Sequence, residues 1–350
     1  MVYFMKNVLK VTFAYIAAVV GAGFASGSEA VLYFVKYGKI SFLGVILTGI
    51  GLGFFSYIIL SSCIKYNVYS FDSLTEILFG KKLSNFICIF LNFFMLIMLG
   101  AMISGSAELG FGAFGISKFV SSLIFCVLCY FTLLMDGRKI IKWGGVAGAF
   151  IVVFICFCSI YMINFRCQNV FGNFGKTINS ALLYTSYNTF AVCPLLCSAA
   201  KEIKDESDCK RVGIYSGLFS FFALFLIWCL IMVYYGKISL GEMPMLTLSR
   251  RQGMWFSIIY SAIIFVSVLS SAVANAYGIY LKFEDRFNNK FIIGIILMLG
   301  WVVASFGFSN IVGKLYGVVG VISSMFPVVF ILKKLKNSDI SRKTKKNRVI

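Results

Sequence analysis

The chain has 350 residues, of which 60% are hydrophobic and only 13% are charged, and its mean hydropathy is +0.92. A soluble globular protein carries about 25% charged residues, so this composition excludes an ordinary soluble domain. The apolar runs are continuous over about 20 residues instead of alternating over about 10, which predicts an all-α integral membrane protein.

The charge is strongly basic, with 32 Lys and Arg against 13 Asp and Glu and a formal net charge of +19. These basic residues lie between apolar segments, so they indicate membrane topology and not a nucleic-acid partner. The chain has no histidine, the commonest metal ligand, and most of its 11 cysteines lie inside apolar runs. We therefore expect no transition-metal site.

Apolar runs between charged or polar breaks predict ten transmembrane spans. In chain order they cover Val8 to Tyr37, Ser41 to Cys63, Leu83 to Phe111, Phe119 to Met135, Ile141 to Ile163, Lys176 to Ala200, Val212 to Tyr235, Gly253 to Leu281, Phe291 to Phe308 and Val312 to Leu332. The first run begins like a signal peptide, but its apolar character resumes through Ala30–Val35, so it is interpreted as a span.

The distribution of basic residues predicts that both termini are cytoplasmic. This orientation places 23 of the 32 Lys and Arg residues on the cytoplasmic side. We interpret residues 1–334 as one transmembrane domain and residues 335–350 as a basic cytoplasmic tail, solvated, weakly ordered and close to anionic lipid.

Span one contains an unusual polar stretch. The segment Val20–Glu29 has three glycines, two serines and a carboxylate at membrane depth. Each glycine weakens a helix by about 1 kcal/mol relative to alanine, and unwound backbone in a membrane must face protein or a watery cavity. The segment predicts a break in the helix; close helix packing through small residues is the alternative.

Span six carries a second such stretch, in which Thr185–Thr189 is polar and Pro194 follows. Spans one and six are five apart, and so are the long spans three and eight. Interruptions at equivalent positions indicate a 5+5 inverted repeat, with broken helices 1 and 6 and a binding site near the bilayer midplane. The repeats would cover about residues 8–163 and 176–332.

These two stretches predict a substrate site. We expect both to be non-helical, to face each other across a central cavity and to bind the polar head of a small zwitterion. The candidate residues are Gly21, Ala22, Gly23, Phe24, Ala25, Ser26, Thr185, Ser186, Tyr187 and Asn188.

Two carboxylates, Glu29 and Glu108, lie within predicted spans, where an unpaired charge is unfavourable by several kcal/mol. Both are candidates to carry a proton or to bind a cation or a substrate amine. Glu108, near the outer end of span three, is also expected to be reachable from the cavity. The alternative is that each reaches interfacial water.

Three features together resemble a known family: the stretch Val19–Glu29, the Tyr187–Asn188 pair and the glycine-rich end of span three with Glu108. They are similar to the YkvI family of bacterial membrane proteins, within the amino acid, polyamine and organocation superfamily, over residues 10–332. The resemblance implies the 5+5 fold of the leucine transporter, a transport function and a bacterial cytoplasmic membrane. Ser28 stands where the family often has Gln, which alters the polar contacts beside the break.

The same resemblance implies a sodium site between spans one and eight. The matching positions are Ala17, Val20, Ser267, Ser270 and Ser271. Five neutral oxygens suit a hard monovalent cation, although hydroxyls on span eight can also bond to the preceding turn of their own helix. Proton coupling is the alternative. Some members of the superfamily place a span-five lysine here, but this span has no basic residue deeper than Lys142, which leaves Glu29 or Glu108 as proton carriers.

We therefore expect an ion-coupled secondary transporter of a small polar solute, such as an amino acid or a related amine, that works by alternating access. A non-transporting membrane sensor or receptor on the same fold is the alternative. A membrane enzyme is not expected, because the chain lacks histidine, an acidic pair and a nucleotide-binding loop. The expected partners are a small molecule and the lipid bilayer, with no cofactor other than a sodium ion.

Overall fold

A computed structural model describes residues 2–135, 150, 153–162, 173–283 and 288–346. Its regular elements within these ranges are helical. In chain order they are α1 (Val2–Val19), α2 (Ala22–Ser26), α3 (Ser28–Tyr33), α4 (Ser41–Tyr66), α5 (Phe71–Phe79), α6 (Lys81–Phe114), α7 (Lys118–Leu133), α8 (Val153–Met162), α9 (Phe174–Ala199), α10 (Glu206–Tyr234), α11 (Pro244–Arg250), α12 (Met254–Tyr280), α13 (Asn289–Ala304), α14 (Phe308–Asn310) and α15 (Tyr316–Lys346), with a π-helical turn at Ile311–Leu315.

The prediction of an all-helical membrane protein is confirmed. Within the described residues, five helical segments have the length and apolar character needed to cross a bilayer, namely α4, α6, α10, α12 and the segment Phe308–Leu332. Shorter apolar helices lie at Asn7–Val19 and at α7, α8 and α13. Much of predicted span five, including Lys142 and the glycines at 144, 145 and 148, lies outside the described residues.

Span one is interrupted as predicted, but at two points and not throughout. α1 ends at Val19, and α2 begins at Ala22 after an extended Gly21. Gly27, with φ of 80° and ψ of 0°, then ends α2 and precedes α3, a left-handed conformation that favours glycine. The prediction that Gly21–Ser26 is non-helical is therefore wrong for Ala22–Ser26, which forms a short buried helix between the two breaks.

The predicted break in span six is wrong, because α9 runs unbroken through Thr185–Asn188 and Pro194. Polar side chains do not unwind a helix when they find partners within it, and the Asn188 amide donates to the carbonyl of Tyr184 at 3.0 Å. Pro194 removes only one backbone donor, and the surrounding helices hold the rest of the turn in place.

The basic tail is also more regular than predicted, since α15 continues to Lys346. The sequence after Pro327 contains neither glycine nor proline. With no helix breaker, the helix that begins in the apolar segment extends into the basic one.

Ion pairs identify which loops share one end of the helix bundle. Lys10 on α1 pairs with Glu202, after α9, at 2.9 Å, and Lys282, after α12, pairs with Asp72 on α5 at 3.0 Å. All four residues belong to segments predicted to be cytoplasmic. We call this end the α5 end, and the opposite end, with residues 235–243, the α11 end.

The closest helix crossing joins α4 and α10 through two pairs of glycines. A Cβ atom on Gly53 would lie 2.6 Å from the carbonyl oxygen of Gly213, and one on Gly213 would lie 2.9 Å from the carbonyl oxygen of Gly53. Gly217 and Gly49 approach in the same way, with 2.8 Å between the Gly217 Cβ position and the Gly49 carbonyl. The contact is reciprocal, so the two helices meet backbone to backbone.

We expect Gly53→Ala to destabilise the protein by about 1–3 kcal/mol, because the new methyl group meets backbone atoms that cannot move without separating the helices. Thermal unfolding in detergent should show a lower Tm. Gly294→Ala on α13 is the matched control, since no neighbouring atom lies within 4 Å of its Cβ position. Equal Tm values for the two variants would contradict the crossing.

Candidate functional site

The junction of α1 and α2 releases backbone groups from the helical pattern. The Gly21 N–H donates to the carbonyl of Val19 at 3.0 Å, so Ala17 loses its helical donor. The Ala22 N–H donates to the sulfur of Met102 on α6 at 3.4 Å. These groups are buried, and a membrane interior offers no water to replace the lost bonds. Neighbouring helices must therefore supply the partners.

α12 supplies most of these partners. The carbonyl of Val20 accepts hydrogen bonds from the hydroxyls of Ser267 at 3.1 Å and Ser271 at 3.3 Å. These hydroxyls therefore bond to the backbone just before α2. The alternative interpretation, in which they bond to the preceding turn of α12, is wrong for these two serines. Three of the five residues predicted for a sodium site are thus in contact, while Ala17 lies one turn back on α1 and Ser270 is half-buried on α12.

The other end of α2 is also held by α12. The hydroxyl of Tyr260 donates to the carbonyl of Ala25 at 3.0 Å. Side chains of Ile231 on α10 and Met245 on α11 pack where a Cβ atom on Gly27 would lie, each 2.8 Å from that position. The short helix is therefore fixed from both ends, and its five residues are buried.

Glu29 on α3 is 4% exposed and does not reach interfacial water, contrary to the alternative interpretation. Its side chain folds back over α2, because a Cβ atom on Gly23 would lie 2.6 Å from Glu29 Cγ and 2.7 Å from its Cδ. The ion pairs of the described residues use other acids, so no lysine or arginine among them compensates this carboxyl group.

Four buried tyrosines surround Glu29: Tyr33 on α3, Tyr184 and Tyr187 on α9, and Tyr316 on α15. We call them the tyrosine cluster. The ring centroids of Tyr33 and Tyr184 are 5.3 Å apart, those of Tyr184 and Tyr187 are 5.3 Å apart, and those of Tyr187 and Tyr316 are 5.4 Å apart. None of the four hydroxyls has a hydrogen-bond partner among the described residues.

The polar residues of α9 do not face α2 as predicted. The side chain of Thr185 packs against Gly51 on α4, with its Cγ2 2.7 Å from the Cβ position of that glycine. Asn188 bonds within α9, and Ser186 is buried. Tyr187 alone of the four lies in the tyrosine cluster, and elsewhere on α9 the Ser180 hydroxyl donates to the Tyr33 carbonyl of α3 at 2.7 Å.

Glu108 lies at the α11 end of the fold and is paired. Lys118 at the start of α7 forms an ion pair with its carboxylate. The side chain of Glu108 is 14% exposed and that of Lys118 is 51% exposed, so the pair lies near the surface. Desolvation, together with the nearby Glu108 charge, raises the pKa of Glu242 in the loop before α11, and Lys118 opposes this rise.

A cavity of about 420 Å³ opens at the α11 end, between α3 and the loop that precedes α11. Ser28, Val31, Leu32, Glu242, Ser309 and Val312 are among its lining residues. The Ser28 hydroxyl donates to the carbonyl of Glu242 at the edge of the cavity. The cavity therefore reaches the residue next to Glu29.

The sequence analysis missed several residues of this region. Met102 and Tyr260 complete the bonding of α2, and Tyr33 and Tyr316 complete the tyrosine cluster. Tyrosine and methionine are common inside membrane spans, so no spacing singles them out. The sequence offered one signal: Tyr33 follows Glu29 by four residues, so two polar side chains share one face of the helix.

The fold resembles that of several solved secondary transporters. The inward-facing conformation of Mhp1 superimposes with a TM-score of 0.67 at 12% identity, covering 93% of this chain and 74% of the other. A Na⁺-coupled sialic acid symporter gives 0.64 at 14% identity, covering 93% and 78%. The manganese transporter of Eremococcus coleocola gives 0.61 at 13% identity, covering 94% and 79%. At these identities the likeness concerns the fold alone.

The resemblance to YkvI is confirmed. The chain is 25% identical to the uncharacterized membrane protein YkvI of Bacillus subtilis over 340 residues, which is 93% of this chain and 95% of YkvI. It is 22% identical to the uncharacterized protein YyaD of the same organism over 321 residues, covering 91% and 94%. No family model matches the chain.

We expect Gly23→Ala to lower the Tm, because the added methyl group occupies the position of the Glu29 side chain. In a Glu29→Ala background the same substitution should have a much smaller effect, since the three nearest atoms are gone. Thermal unfolding of the two single variants and the double variant measures this coupling. Gly313→Ala, whose nearest contact is 3.9 Å away on Leu32, is the control. Additive effects of the two substitutions would contradict the packing of Glu29 on α2.

Proposed function

We propose that the protein is an ion-coupled secondary transporter that moves a small polar solute by alternating access. The observation that carries this proposal is the buried break between α1 and α2, where the Val20 carbonyl is bonded by serines of α12 and the buried Glu29 side chain lies over Gly23 of α2. The similar structures are transporters of sialic acid, manganese and a nucleobase-type ligand, so the shared fold supports transport and leaves the cargo open. Their function also supports the expectation that the protein is not an enzyme.

The chain is proposed to consist of two inverted repeats, at about residues 8–163 and 176–332, that form ten transmembrane helices. The α4–α10 crossing supports this proposal, because Gly53 and Gly213 approach each other's carbonyls reciprocally. Two equivalent helices that meet on a two-fold axis make such a contact. The absence of a break in α9 makes the second repeat less irregular than the first.

The coupling ion is proposed to be sodium, held by oxygens of Ala17, Val20, Ser267, Ser270 and Ser271. The contacts of Val20 with both serines support this assignment, as does the release of the Ala17 carbonyl from its helical donor. Neutral oxygens without a carboxylate suit a monovalent hard cation. Proton coupling through Glu29 or Glu108 is the alternative, and burial of Glu29 favours it over the ion-paired Glu108.

The solute is proposed to be an amino acid or a related amine that binds beside α2 and α3, against Gly21–Ser26 and Tyr187. Thr185, Ser186 and Asn188 belong to the second half of the predicted site, but Thr185 faces α4 and Asn188 bonds within α9. We therefore propose that the α9 side of the site is formed by aromatic rings.

We propose that the protein lies in a bacterial cytoplasmic membrane with both termini in the cytoplasm. The pairing of Lys10 with Glu202 and of Lys282 with Asp72 supports a common side for four segments predicted to be cytoplasmic. Residues 1–334 would form the membrane domain, and the basic residues 335–350 would lie close to anionic lipid.

Sodium binding can be measured without knowledge of the solute. NaCl should raise the Tm of the purified protein more than equal concentrations of KCl, because an ion that binds only the folded state stabilises it. Ser267→Ala with Ser271→Ala should abolish the difference. Ser261→Ala is the control on the same helix, since its hydroxyl bonds to the Ser257 carbonyl. Equal stabilisation by the two salts would contradict the sodium site.

Transport itself can be tested in proteoliposomes. Currents on solid-supported membranes should appear when amino acids or amines are added under an inward sodium gradient, and should vanish in liposomes without protein. A current that follows an imposed proton gradient instead would assign coupling to the proton. Ligands that raise the Tm without any current or uptake of labelled ligand would support the alternative, a non-transporting sensor or receptor.

A further inference from the structure

The polar groups around Glu29 have unmet bonding requirements. The hydroxyls of Tyr33, Tyr184, Tyr187 and Tyr316 are buried and lack partners in the described structure. The hydroxyls of Tyr184 and Tyr187 lie close enough to the Glu29 carboxyl group to interact with it, but not in the geometry of a full hydrogen bond. A buried polar group that loses its partners is unfavourable by about 1–3 kcal/mol, and more if it is charged. Four such hydroxyls around one carboxyl group indicate a site whose partner is a ligand.

The charge of that partner follows from the surroundings. Glu29 is the acidic member of the site, and the ion pairs made by lysines and arginines of the described ranges involve Glu202, Glu108, Asp208 and Asp72. The nearest described cations on its own segment are solvent-facing, and Lys36 lies over the ring of Tyr37 at 5.0 Å. An ionised carboxyl group in this position requires a cation.

We propose that Glu29 and the tyrosine cluster bind the ammonium group of a primary monoamine, and that the solute of the transporter is such an amine. This inference rests on the proposed function for the statement about transport, whereas the binding site stands on its own contacts. The ammonium group donates hydrogen bonds to the carboxylate and to phenol oxygens, and the ring faces stabilise its charge.

The hydrogen-bonding groups select among amines. A primary ammonium has three N–H donors, which match one carboxylate and two phenol oxygens. A trimethylated ammonium has none and would leave the acceptors unmet. The site has a single carboxyl group, so a second ammonium, as in a diamine, has no counter-charge here.

An amino acid is less suited to the site than the corresponding amine. Its carboxylate would meet the like charge of Glu29, and no lysine or arginine of the described chain pairs with that residue. The wider proposal allows either an amino acid or a related amine as the solute. This inference is narrower, because it holds that the site prefers the amine.

The cavity at the α11 end is lined by residues adjacent in sequence to the site. Val312 lines the 420 Å³ cavity, and Tyr316 follows one turn later on the same helical segment. Ser28 also lines the cavity and directly precedes Glu29. Two residues of the cavity wall are therefore neighbours in sequence of Glu29 and of the tyrosine cluster, whose own side chains are buried.

The experiment compares matched ligands by thermal shift and isothermal titration with the full-length protein in detergent. Isopentylamine is tested against leucine and phenethylamine against phenylalanine, each pair differing by a carboxylate. N-trimethylated isopentylamine and 1,5-diaminopentane complete the set. We expect the primary monoamines to bind at least about tenfold more tightly than the other ligands.

Variants identify the site. Glu29→Gln should weaken monoamine binding by at least about tenfold, and Tyr187→Phe should weaken it severalfold with the ring retained. Asp208→Asn, a buried acid paired with Arg211, is the control for Glu29, and Tyr15→Phe, whose hydroxyl bonds to the Leu52 carbonyl, is the control for Tyr187. Unfolding curves without ligand verify that each variant is folded. Tyr184→Phe replaces Tyr187→Phe if the latter does not fold.

The outcomes separate this inference from the proposed function. Unchanged monoamine affinity in Glu29→Gln, or equal binding of amines and amino acids, would overturn the inference and leave ion-coupled transport in place. Glu29-dependent monoamine binding without flux would support the inference and reject transport. A response to sodium or pH in the absence of any amine binding would also overturn it, and would assign Glu29 to the coupling ion.

Discussion

Backbone hydrogen bonding at the junction of α1 and α2 is the constraint on which the rest of the site depends. A helix that stops inside a bilayer exposes carbonyl and amide groups where no water can pair with them. The chain satisfies them with side chains of two other helices, Ser267 and Ser271 from α12 and Met102 from α6, while Tyr260 of α12 bonds to the other end of α2. The break is thus a contact between helices far apart in sequence, and α12 cannot shift relative to α1 without breaking these bonds.

A second constraint acts beside the first. Glu29 lies on α3 just beyond the second break, and its side chain covers Gly23, so the carboxyl group is turned toward the protein interior and away from the loop that follows. The rings that meet it come from α3, α9 and α15. Hydroxyl groups on three separate helices therefore converge on a single acid, and any movement of these helices changes the environment of that acid.

The packing of the bundle divides into tight and adaptable contacts. At the α4–α10 crossing, glycines bring two backbones together, and no side chain intervenes that could adjust. The contacts among α3, α9 and α15 are made by aromatic rings with centroids 5.3–5.7 Å apart, so side chains and not backbone separate these helices. A transporter that alternates its access needs both kinds, a fixed pair of helices and a set of side chains that can open.

Composition and apolar run length were sufficient to predict a helical membrane protein, several of its long apolar helices and an interruption near Gly21, because burial in lipid forces long apolar runs and makes glycine, serine and glutamate conspicuous. The short helices α5 and α11 were not predicted. The contact of Val20 with Ser267 and Ser271 was also expected, since the resemblance to a known fold supplied their pairing, and their role as sodium ligands stays a prediction. The break predicted at Thr185–Asn188 was wrong, because whether a polar side chain breaks a helix or bonds within it depends on its neighbours. The helical form of Ala22–Ser26, the ion pair of Glu108 and the tyrosine cluster were decided only in three dimensions. Their partners lie far apart in the chain or are residue types common in every span, and only the packing of the helices brings their polar atoms to one place.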